Sequence, residues 1–225
     1  MRDEDVASLA HDLRTPLGVI SLEIATLEEK CPGLRHEARD ALARIDRNLK
    51  YLDNLLQDLL DLAAIDAARL EVHREPTELC GLVAEVVDRM VPSRDRGRVH
   101  VAFSGPIDVC ADASRIERVV ANLLQNALKY AGRSTEIKVV VEEHDHRACV
   151  SVIDEGIGLP PDEASHVFEK FRRMPSAKRH DGVGLGLYVS RRIVEAHAGK
   201  IGVESKFGSG SRFYFELPIE DARTA

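Results

Sequence analysis

The chain has 225 residues, of which 44% are hydrophobic and 31% charged, which suits one or two folded domains and excludes a disordered chain. Its net charge of -7 gives no indication of nucleic-acid binding. No apolar run is long enough to span a membrane, and the charged start MRDEDV is not a signal peptide. The four cysteines form no CxxC pair and are expected to be reduced thiols in a cytosolic protein: Cys31, Cys80, Cys110 and Cys149.

Residues 3–30 are predicted to form one long helix. Its apolar residues recur at helical spacing and fall within a stripe roughly 80° wide, the width of a coiled-coil seam. His11 lies roughly 160° from the centre of that stripe, so the seam faces a partner helix while the imidazole faces solvent. Thr15 lies one turn further along, on nearly the same face. The stripe consists of Val6, Leu9, Leu13, Leu17, Ile20, Ile24 and Leu27.

The segment HDLRTPL, residues 11–17, carries chemistry that a bundle helix does not require. Asp12 can orient the imidazole of His11 and accept its Nδ1 proton, leaving Nε2 as a nucleophile. Pro16 costs about 3 kcal/mol inside a helix and kinks it. An ordinary surface histidine is the alternative interpretation of His11.

A break at CPG, residues 31–33, separates this helix from a second one over residues 34–66 with leucines in near-heptad register. Two such helices cannot bury their stripes alone, and two copies forming a four-helix bundle would bury them. A bundle within one chain is the alternative, but the remaining sequence offers no further pair of long amphipathic helices. A homodimer through this hairpin is therefore predicted.

Residues 67–76 mark a domain boundary, after which helices and strands are mixed. Residues 77–90 are predicted as a helix with Thr77 as N-cap, and RVHVAFSG and IDVCAD as a strand pair. Residues 113–131 follow as a helix capped by Asp112, and then two strands joined by a polar turn. The turn contains His144 and His146, for which a solvated turn is favoured over a metal site. A helix over 186–199 and a hairpin with the turn FGSGS complete an α+β sandwich, one sheet covered by helices on one face.

Four segments of this second unit carry polar or glycine residues that core packing does not require. NLLQNALKYA, residues 122–131, places Asn122, Asn126, Lys129 and Tyr130 on one helix face. DEGIGLP, residues 154–160, ends a strand with an acid and lets the backbone approach a ligand at two glycines. FEKFRRM, residues 168–174, pairs aromatic with basic residues. GVGLGL, residues 182–187, leads into a helix N-terminus, which favours phosphate but alone is equally consistent with a simple turn.

Together with HDLRTPL, these segments resemble, in order and spacing, the H, N, G1, F and G2 boxes of the sensor histidine kinases of two-component systems. The resemblance covers nearly all of residues 5–218. It implies a dimerisation and histidine phosphotransfer hairpin over residues 1–68. It further implies a GHKL-type ATP-binding domain over residues 69–220 and a tail over 221–225.

The resemblance also implies roles for single residues. Asn126 would bind Mg²⁺ with help from Asn122, Lys129 would reach the phosphates of ATP, and Tyr130 would pack on adenine. Asp154 would accept the exocyclic amine of adenine. The remaining ligands and anchors would be Gly156 and Gly158 beside the base, Phe168 and Phe171 at the lid of residues 171–185, Arg173 at the γ-phosphate with Arg172 and Lys178 as alternatives, and Gly182, Gly184, Leu185 and Gly186 around the phosphates.

The implied reaction is ATP-dependent phosphorylation of His11, followed by transfer to an aspartate of a response-regulator receiver domain. Asp12 would assist the first step, and Thr15 resembles the threonine that positions water for response-regulator dephosphorylation. Ala10 and Val183 stand where many members have serine and threonine, and only modest effects are expected. Two other classes remain as alternatives: a GHKL ATPase of another kind, which would lack HDLRTP, and a scaffold or phosphotransfer module, which would not need the N, G1 and G2 boxes. The chain is expected in the cytoplasm, alone or as the cytoplasmic portion of a longer membrane receptor.

Overall fold

The structure, a computed structural model, describes residues 17–24, 26–27, 36–67, 70–172 and 184–219. The chain divides into two compact units, Met1–Leu70 and Glu71–Ala225. Within the described residues, no helix is both long and apolar enough to cross a membrane.

The first unit is helical in all of its described residues except 67 and 70. Residues 17–24 and 26–27 are helical, and helix α1 spans His36–Asp66. These residues agree with the two predicted helices, whereas the CPG break lies outside the described residues. Ile24, Leu49 and Ile65 are buried.

Other apolar residues of this unit stay exposed. On α1 they are Ile45, Leu52 and Leu59, each about half exposed. Their spacing of seven residues places them in one row along the helix, at the same position of successive heptads. In the single chain this row is exposed to solvent. Val19, Ile20, Leu22 and Leu27 of the first helical segment are exposed as well.

The second unit is built on a five-stranded sheet in the order β2-β4-β5-β7-β6 and a two-stranded sheet, β1-β3. β2 pairs with β4 in parallel, and all other pairs are antiparallel. The strands are β1 Glu75–Glu78, β2 Val99–Phe103, β3 Asp108–Ala111, β4 Ile137–His144, β5 Arg147–Asp154, β6 Lys200–Lys206 and β7 Gly210–Pro218. The helices are α2 Leu79–Met90, α3 Ala113–Tyr130, the short α4 Pro161–Ala164 and α5 Gly186–Ala196, with a 3-10 turn at Arg96–Arg98.

The core lies between one face of the five-stranded sheet and helices α2, α3 and α5. On β4 alternate residues are buried, as the period of two requires: Ile137, Val139 and Val141. On the central strand β5, residues 148–152 are all buried. From the helices, the largest fully buried residues include Leu79, Ile116, Leu123, Leu124 and Ile193. The predicted α+β sandwich, with helices on one face of its sheet, is confirmed.

Two local predictions are wrong. Thr77 does not cap α2, because the helix begins only at Leu79 and the Thr77 hydroxyl donates to the Ala111 carbonyl instead. The cap is Glu78, whose carboxylate accepts from the backbone N–H of Cys80 and Gly81. Burial acts to raise the pKa of Glu78, but these hydrogen bonds to the charged form outweigh it and leave the pKa lowered.

The predicted strand pair of RVHVAFSG and IDVCAD does not exist either. β2 joins the large sheet beside β4, and β3 pairs with β1 in the small one. The chain between them, residues 104–107, is short enough for a hairpin, so only the long-range partners decide against one. In contrast, Asp112 caps α3 as predicted, with its Oδ1 accepting from Arg115 N at 3.1 Å.

The predicted polar turn joins β4 and β5 as a two-residue hairpin. Asp145 and His146 have φ values of 49° and 58°, the pattern of a type I′ turn. His144 lies beside Glu142. The described residues contain no cluster of three or more histidine, cysteine or acidic side chains that could hold a metal, and the solvated turn stays a prediction. Cys80, Cys110 and Cys149 are free thiols.

Helix α5 ends three residues earlier than predicted. Ala198 adopts a positive φ of 56°, and the N–H groups of Ala198 and Gly199 return to the carbonyls of Glu195 and Val194. This is a Schellman C-cap in which alanine, not the following glycine, takes the left-handed position.

Candidate nucleotide-binding site

Helix α3 connects two regions of the second unit that carry predicted site residues. Asn122 lies beside the N-terminus of α5, and its Nδ2 donates to Ser190 Oγ at 2.9 Å. Two turns later, the Tyr130 carbonyl lies against Gly156, where a Cβ would stand 2.6 Å from that oxygen. The helix rises about 12 Å between the two positions. The predicted phosphate-binding segment therefore lies beside the middle of α3, and the predicted base-binding segment lies beside its C-terminal end.

Asp154 is the last residue of the central strand β5, and its side chain is only 6% exposed. Its Oδ1 accepts from Gly156 N at 2.8 Å, and in the described part of the chain this is its one hydrogen-bond partner. Burial raises the pKa of this carboxyl, while the bond from Gly156 acts in the opposite direction. The second carboxylate oxygen of this buried acid can therefore accept a hydrogen bond from a donor group of a ligand.

The loop after β5 is tied to the β6–β7 turn. Gly208 N donates to the Ile157 carbonyl at 2.7 Å, and Leu159 N donates to Ser205 Oγ at 2.7 Å. Gly158 has a φ of 63°, and a Cβ there would collide with the Lys206 carbonyl. Glycine at position 158 is therefore required by packing against the hairpin, independently of any ligand.

The N-terminus of α5 carries no capping side chain. Leu185 holds the N-cap position without a side-chain hydrogen bond, and it is 1% exposed because its side chain enters the core. Gly186 begins the helix, and the first backbone N–H groups of a helix have no carbonyl partner within it. With the helix dipole, these donors favour a phosphate group.

The two ends of the predicted lid meet in the described part of the chain. Gly184 has a φ of 78°, and a Cβ there would collide with the Arg172 carbonyl. The Arg172 guanidinium pairs with Glu163 at 3.4 Å. Arg173, Lys178, Gly182 and Val183 lie outside the described residues, so their roles stay predictions.

The two phenylalanines proposed to anchor the lid differ in their surroundings. Phe168 is buried and packs edge-on against Phe213 of β7, with ring centroids 6.4 Å apart. Phe171 is 58% exposed and has a φ of 61°. The structure thus anchors this end of the segment through Phe168, while the role of Phe171 stays a prediction.

The last turn of α3 presents an ammonium group and a ring together. Lys129 is exposed, and its Nζ lies 4.7 Å from the centroid of the half-buried Tyr130 ring. This cation–π contact holds a positive charge at the end of α3 next to the loop of Asp154.

Asn122 and Asn126 are one turn apart on α3 and both half-buried. Because Asn122 uses its Nδ2 on Ser190, its Oδ1 remains an acceptor. Amide oxygens are ligands that Mg²⁺ accepts, and Mg²⁺ takes its other positions from water and phosphate. The donor set therefore fits a Mg²⁺ ion shared with a nucleotide.

Two residues that join α3 to α5 were not predicted from the sequence. Ser190 is a lone buried hydroxyl on the apolar face of α5, and only the contact with Asn122 reveals it. His197, 1% exposed, accepts from Asp112 N with its Nε2 at 3.0 Å, while its Nδ1 lies 2.8 Å from the Ile193 carbonyl. Burial lowers the pKa of His197, although the bond to Ile193 acts in the opposite direction. The ring in its neutral form thus joins the C-terminus of α5 to the N-cap of α3.

The linker at the start of the second unit contacts the same junction. His73 N donates to Asp112 Oδ2 at 3.1 Å, and Arg74 Nη2 donates to the Ala196 carbonyl at 2.6 Å. His11, Asp12 and Thr15 lie outside the described residues, so the predicted phosphoacceptor site stays a prediction.

Known families match both units. The family model of the His Kinase A (phospho-acceptor) domain matches residues 1–68. That of the histidine kinase-, DNA gyrase B- and HSP90-like ATPases matches residues 111–221. The two matches follow the order that the sequence analysis predicted.

Curated relatives match across nearly the whole chain. The adaptive-response sensory kinase SasA of Synechococcus sp. (strain JA-3-3Ab) is 32% identical over 224 residues, covering 97% of this chain and 59% of the relative. The sensor protein SrrB of Staphylococcus aureus (strain NCTC 8325 / PS 47) is 27% identical, covering 97% of this chain and 38% of the relative. The chain thus spans about three fifths or less of the length of these relatives.

Solved structures agree with this result. A crystal structure of full-length ShkA in complex with AMPPNP matches 99% of this chain and 47% of that protein, with 30% identity and a TM-score of 0.75. The catalytic domain of the histidine kinase ThkA matches 65% of this chain and 96% of that domain, with 29% identity and a TM-score of 0.58. A phosphoacceptor domain followed by an ATPase domain, together with these relatives, shows that the chain belongs to the sensor histidine kinases of two-component systems.

Proposed function

We propose that this chain is an ATP-dependent protein-histidine kinase that phosphorylates His11 and passes the phosphoryl group to an aspartate of a response-regulator receiver domain. The observation that carries the proposal is the arrangement along α3. A buried acid lies beside the C-terminal end of α3 and an uncapped helix N-terminus lies beside its middle, in a chain whose first 68 residues match a phosphoacceptor domain. The domains are accordingly 1–68 for dimerisation and phosphotransfer and 69–220 for ATP binding, with a tail over 221–225.

The base-binding end of the site would select adenine through Asp154. The carboxylate oxygen that Gly156 leaves available accepts the exocyclic amine of adenine, with the Tyr130 ring packed on the base. Gly156 keeps this loop close to α3, and Gly158 holds it against the β6–β7 turn. An acceptor at this position rejects guanine, which presents a carbonyl oxygen there.

The phosphate-binding end would combine backbone donors with charge. Gly182, Gly184, Leu185 and Gly186 lead the chain into α5, whose first N–H groups face the phosphates. Lys129 and Arg173 supply positive charge, and Phe171 contributes to the start of the lid. Asn126, with Asn122, would hold Mg²⁺, which neutralises phosphate charge. Phosphoryl transfer needs little beyond such alignment and neutralisation.

The phosphoacceptor segment would supply the nucleophile. Asp12 orients the His11 ring and takes its Nδ1 proton, so that Nε2 can attack the γ-phosphorus of ATP and ADP leaves. Thr15 would position water for dephosphorylation of the regulator, which gives the chain a phosphatase activity as well. Ala10 and Val183 lack the hydroxyl that many family members carry at these positions, but neither replaces a residue to which a role is given above.

The first unit would also form the homodimer. The row of Ile45, Leu52 and Leu59 on α1 is exposed in the single chain, and a second copy would cover it as in a four-helix bundle. The response regulator would dock on the same hairpin, near His11. The cytoplasm supplies ATP and keeps thiols reduced, and the described cysteines are free thiols. The chain would therefore act in the cytoplasm, alone or as part of a longer membrane receptor.

The test is phosphorylation of the chain by γ-labelled ATP, with His11→Gln as the variant and His100→Gln, which changes an exposed histidine of β2, as the matched control. We expect acid-labile, base-stable label in the wild type and the control. In the His11 variant the label should be absent while ATP binding persists, because nucleophile and nucleotide lie in different units. Label that survives in the His11 variant would overturn the assignment of the phosphoacceptor.

A further inference from the structure

Ser190 is a buried polar residue on an otherwise apolar helix face. It is 2% exposed and lies beside the buried residues Val189, Ile193 and Val194 of α5. A hydroxyl adds nothing to packing there that alanine would not supply, and burying it costs free energy unless it is hydrogen-bonded. Its partner is the Asn122 amide across the α3–α5 interface, at 2.9 Å.

The other side of the Asn122 amide is equally confined. A Cβ built on Gly186 would stand 2.6 Å from Asn122 Oδ1 and 3.1 Å from its Cγ. Gly186 and Ser190 are one turn apart on the same face of α5, so the amide lies along this first turn. The serine hydroxyl holds the nitrogen, and the missing side chain of Gly186 leaves room for the oxygen.

The orientation of an asparagine amide is only weakly restrained by its own torsion, because its terminal torsion is broad and roughly two-fold. A rotation of about 180° would exchange Oδ1 for the NH₂ group. At the first turn of α5, that exchange would replace an acceptor by a donor beside the free backbone N–H groups. A donor there can neither ligate Mg²⁺ nor accept a hydrogen bond from a metal-bound water.

The free N–H groups at the start of α5 favour the amide oxygen beside Gly186, and the Ser190 hydroxyl, which can accept or donate, then accepts from Nδ2. We propose that Ser190 is a positioning residue: its hydrogen bond to Nδ2 holds the Asn122 side chain in this place, with the amide oxygen toward the Mg²⁺–phosphate end of the nucleotide site. This inference rests on the function proposed above. Ser190 contacts neither nucleotide nor metal and acts only through Asn122. The bond also links α3, which carries the metal ligands, to α5, which carries the phosphate donors.

The experiment measures ATP binding to the full chain by calorimetry, with Mg²⁺ and with EDTA, for wild type, Ser190→Ala and Ser190→Thr. Loss of a neutral hydrogen bond predicts that Ser190→Ala weakens Mg²⁺-dependent ATP binding about 3- to 10-fold. Binding in EDTA should change less than about 2-fold, because Asn122 then has no cation to serve. Ser190→Thr keeps the hydroxyl and should restore the Mg²⁺ dependence.

A double-mutant cycle with Asn122→Ala separates positioning from packing. In the Asn122→Ala background, Ser190→Ala should cause no further loss, since its effect passes through the missing amide. Equal losses with Mg²⁺ and EDTA, or fully additive losses in the cycle, would overturn the proposal and leave Ser190 as a packing residue. If the wild type itself bound no ATP, the proposed function would fail instead, so the two failures are distinguishable.

Discussion

Replacing Asp154 by asparagine would change one atom of the site and reverse its hydrogen-bonding character. The amide can keep its oxygen on Gly156 N, where the carboxylate now accepts at 2.8 Å. The second carboxylate oxygen then becomes an NH₂ group. This group would face the exocyclic amine of adenine, so two donors meet in a site that is 6% exposed.

The expected loss follows from that mismatch. A donor left without an acceptor in a buried site costs about 1–3 kcal/mol, which corresponds to about 5- to 150-fold weaker ATP binding. Inosine triphosphate carries a carbonyl oxygen where ATP carries the amine, and it should bind the variant better than it binds the wild type. The preference for ATP over inosine triphosphate should therefore be smaller in the variant, because its affinity for ATP falls while its affinity for inosine triphosphate rises.

The removal of the charge should also affect the protein without nucleotide. Because burial raises the pKa of Asp154, the folded chain holds a proton more tightly than the unfolded chain does. Ionisation above the ordinary carboxyl pKa thus destabilises the fold, and the neutral amide should unfold at a higher temperature than the wild type near pH 7. The ionised Asp154 carboxylate would then lower the free energy of unfolding of the protein while it provides the specificity for adenine.

The assay is calorimetric titration of both nucleotides into wild type and Asp154→Asn, with thermal unfolding of the free proteins. Glu155→Gln is the matched control, since it removes a charge at the neighbouring, exposed residue. Unchanged ATP affinity together with unchanged preference over inosine triphosphate would refute the assignment of Asp154 to the base.

Three further predictions concern other residues. Asn126→Ala should abolish Mg²⁺-dependent turnover while ATP binding in EDTA persists, and an unchanged Mg²⁺ requirement in kinase assays would contradict its role as a ligand. His197→Phe should cost about 1–3 kcal/mol, because the buried N–H of Asp112 loses its acceptor. Since the pKa of His197 is lowered, wild-type stability should fall as pH drops below about 6.5, and the variant should lose this component in urea unfolding; equal pH profiles would contradict it. Thr15→Ala should keep autophosphorylation and lose regulator dephosphorylation, whereas Asp12→Asn should slow autophosphorylation; equal loss of both activities in the Thr15 variant would instead indicate a distorted helix.

Local signals predicted most elements of the second unit well. Asp112 caps α3 because an aspartate before an amphipathic run needs only backbone N–H groups two or three residues away. The β4–β5 hairpin likewise depends on two adjacent strands and a two-residue turn. In both cases, the deciding contacts are close in sequence.

The failures involved partners that are distant in sequence. β2 and β3 look like a hairpin in sequence, but β4 and β1 provide their strand partners. Thr77 is a better intrinsic cap than Glu78, yet α2 begins one residue too late for it, and its hydroxyl donates to the Ala111 carbonyl of β3. Intrinsic preference is a weak prior that such tertiary contacts override.

The candidate site likewise combines features that local sequence predicts with features that depend on distant partners. Its motifs, from the asparagines of α3 to Asp154 and the glycines before α5, could be recognised from residue type and spacing alone, because a ligand imposes those types directly. Gly158 was assigned to the base from its motif, whereas the structure gives it a packing role against the hairpin.

The sequence by itself determined the class of the protein, the order of its two units and the residues that carry polar chemistry, since each of these depends on local patterns. Only the tertiary structure decided that Ser190 holds the Asn122 amide and that His197 joins α3 to α5. Both pairs are separated by more than 65 residues and involve one small or buried polar group each. Such a group is indistinguishable from an ordinary core residue until the fold brings its partner within hydrogen-bonding distance.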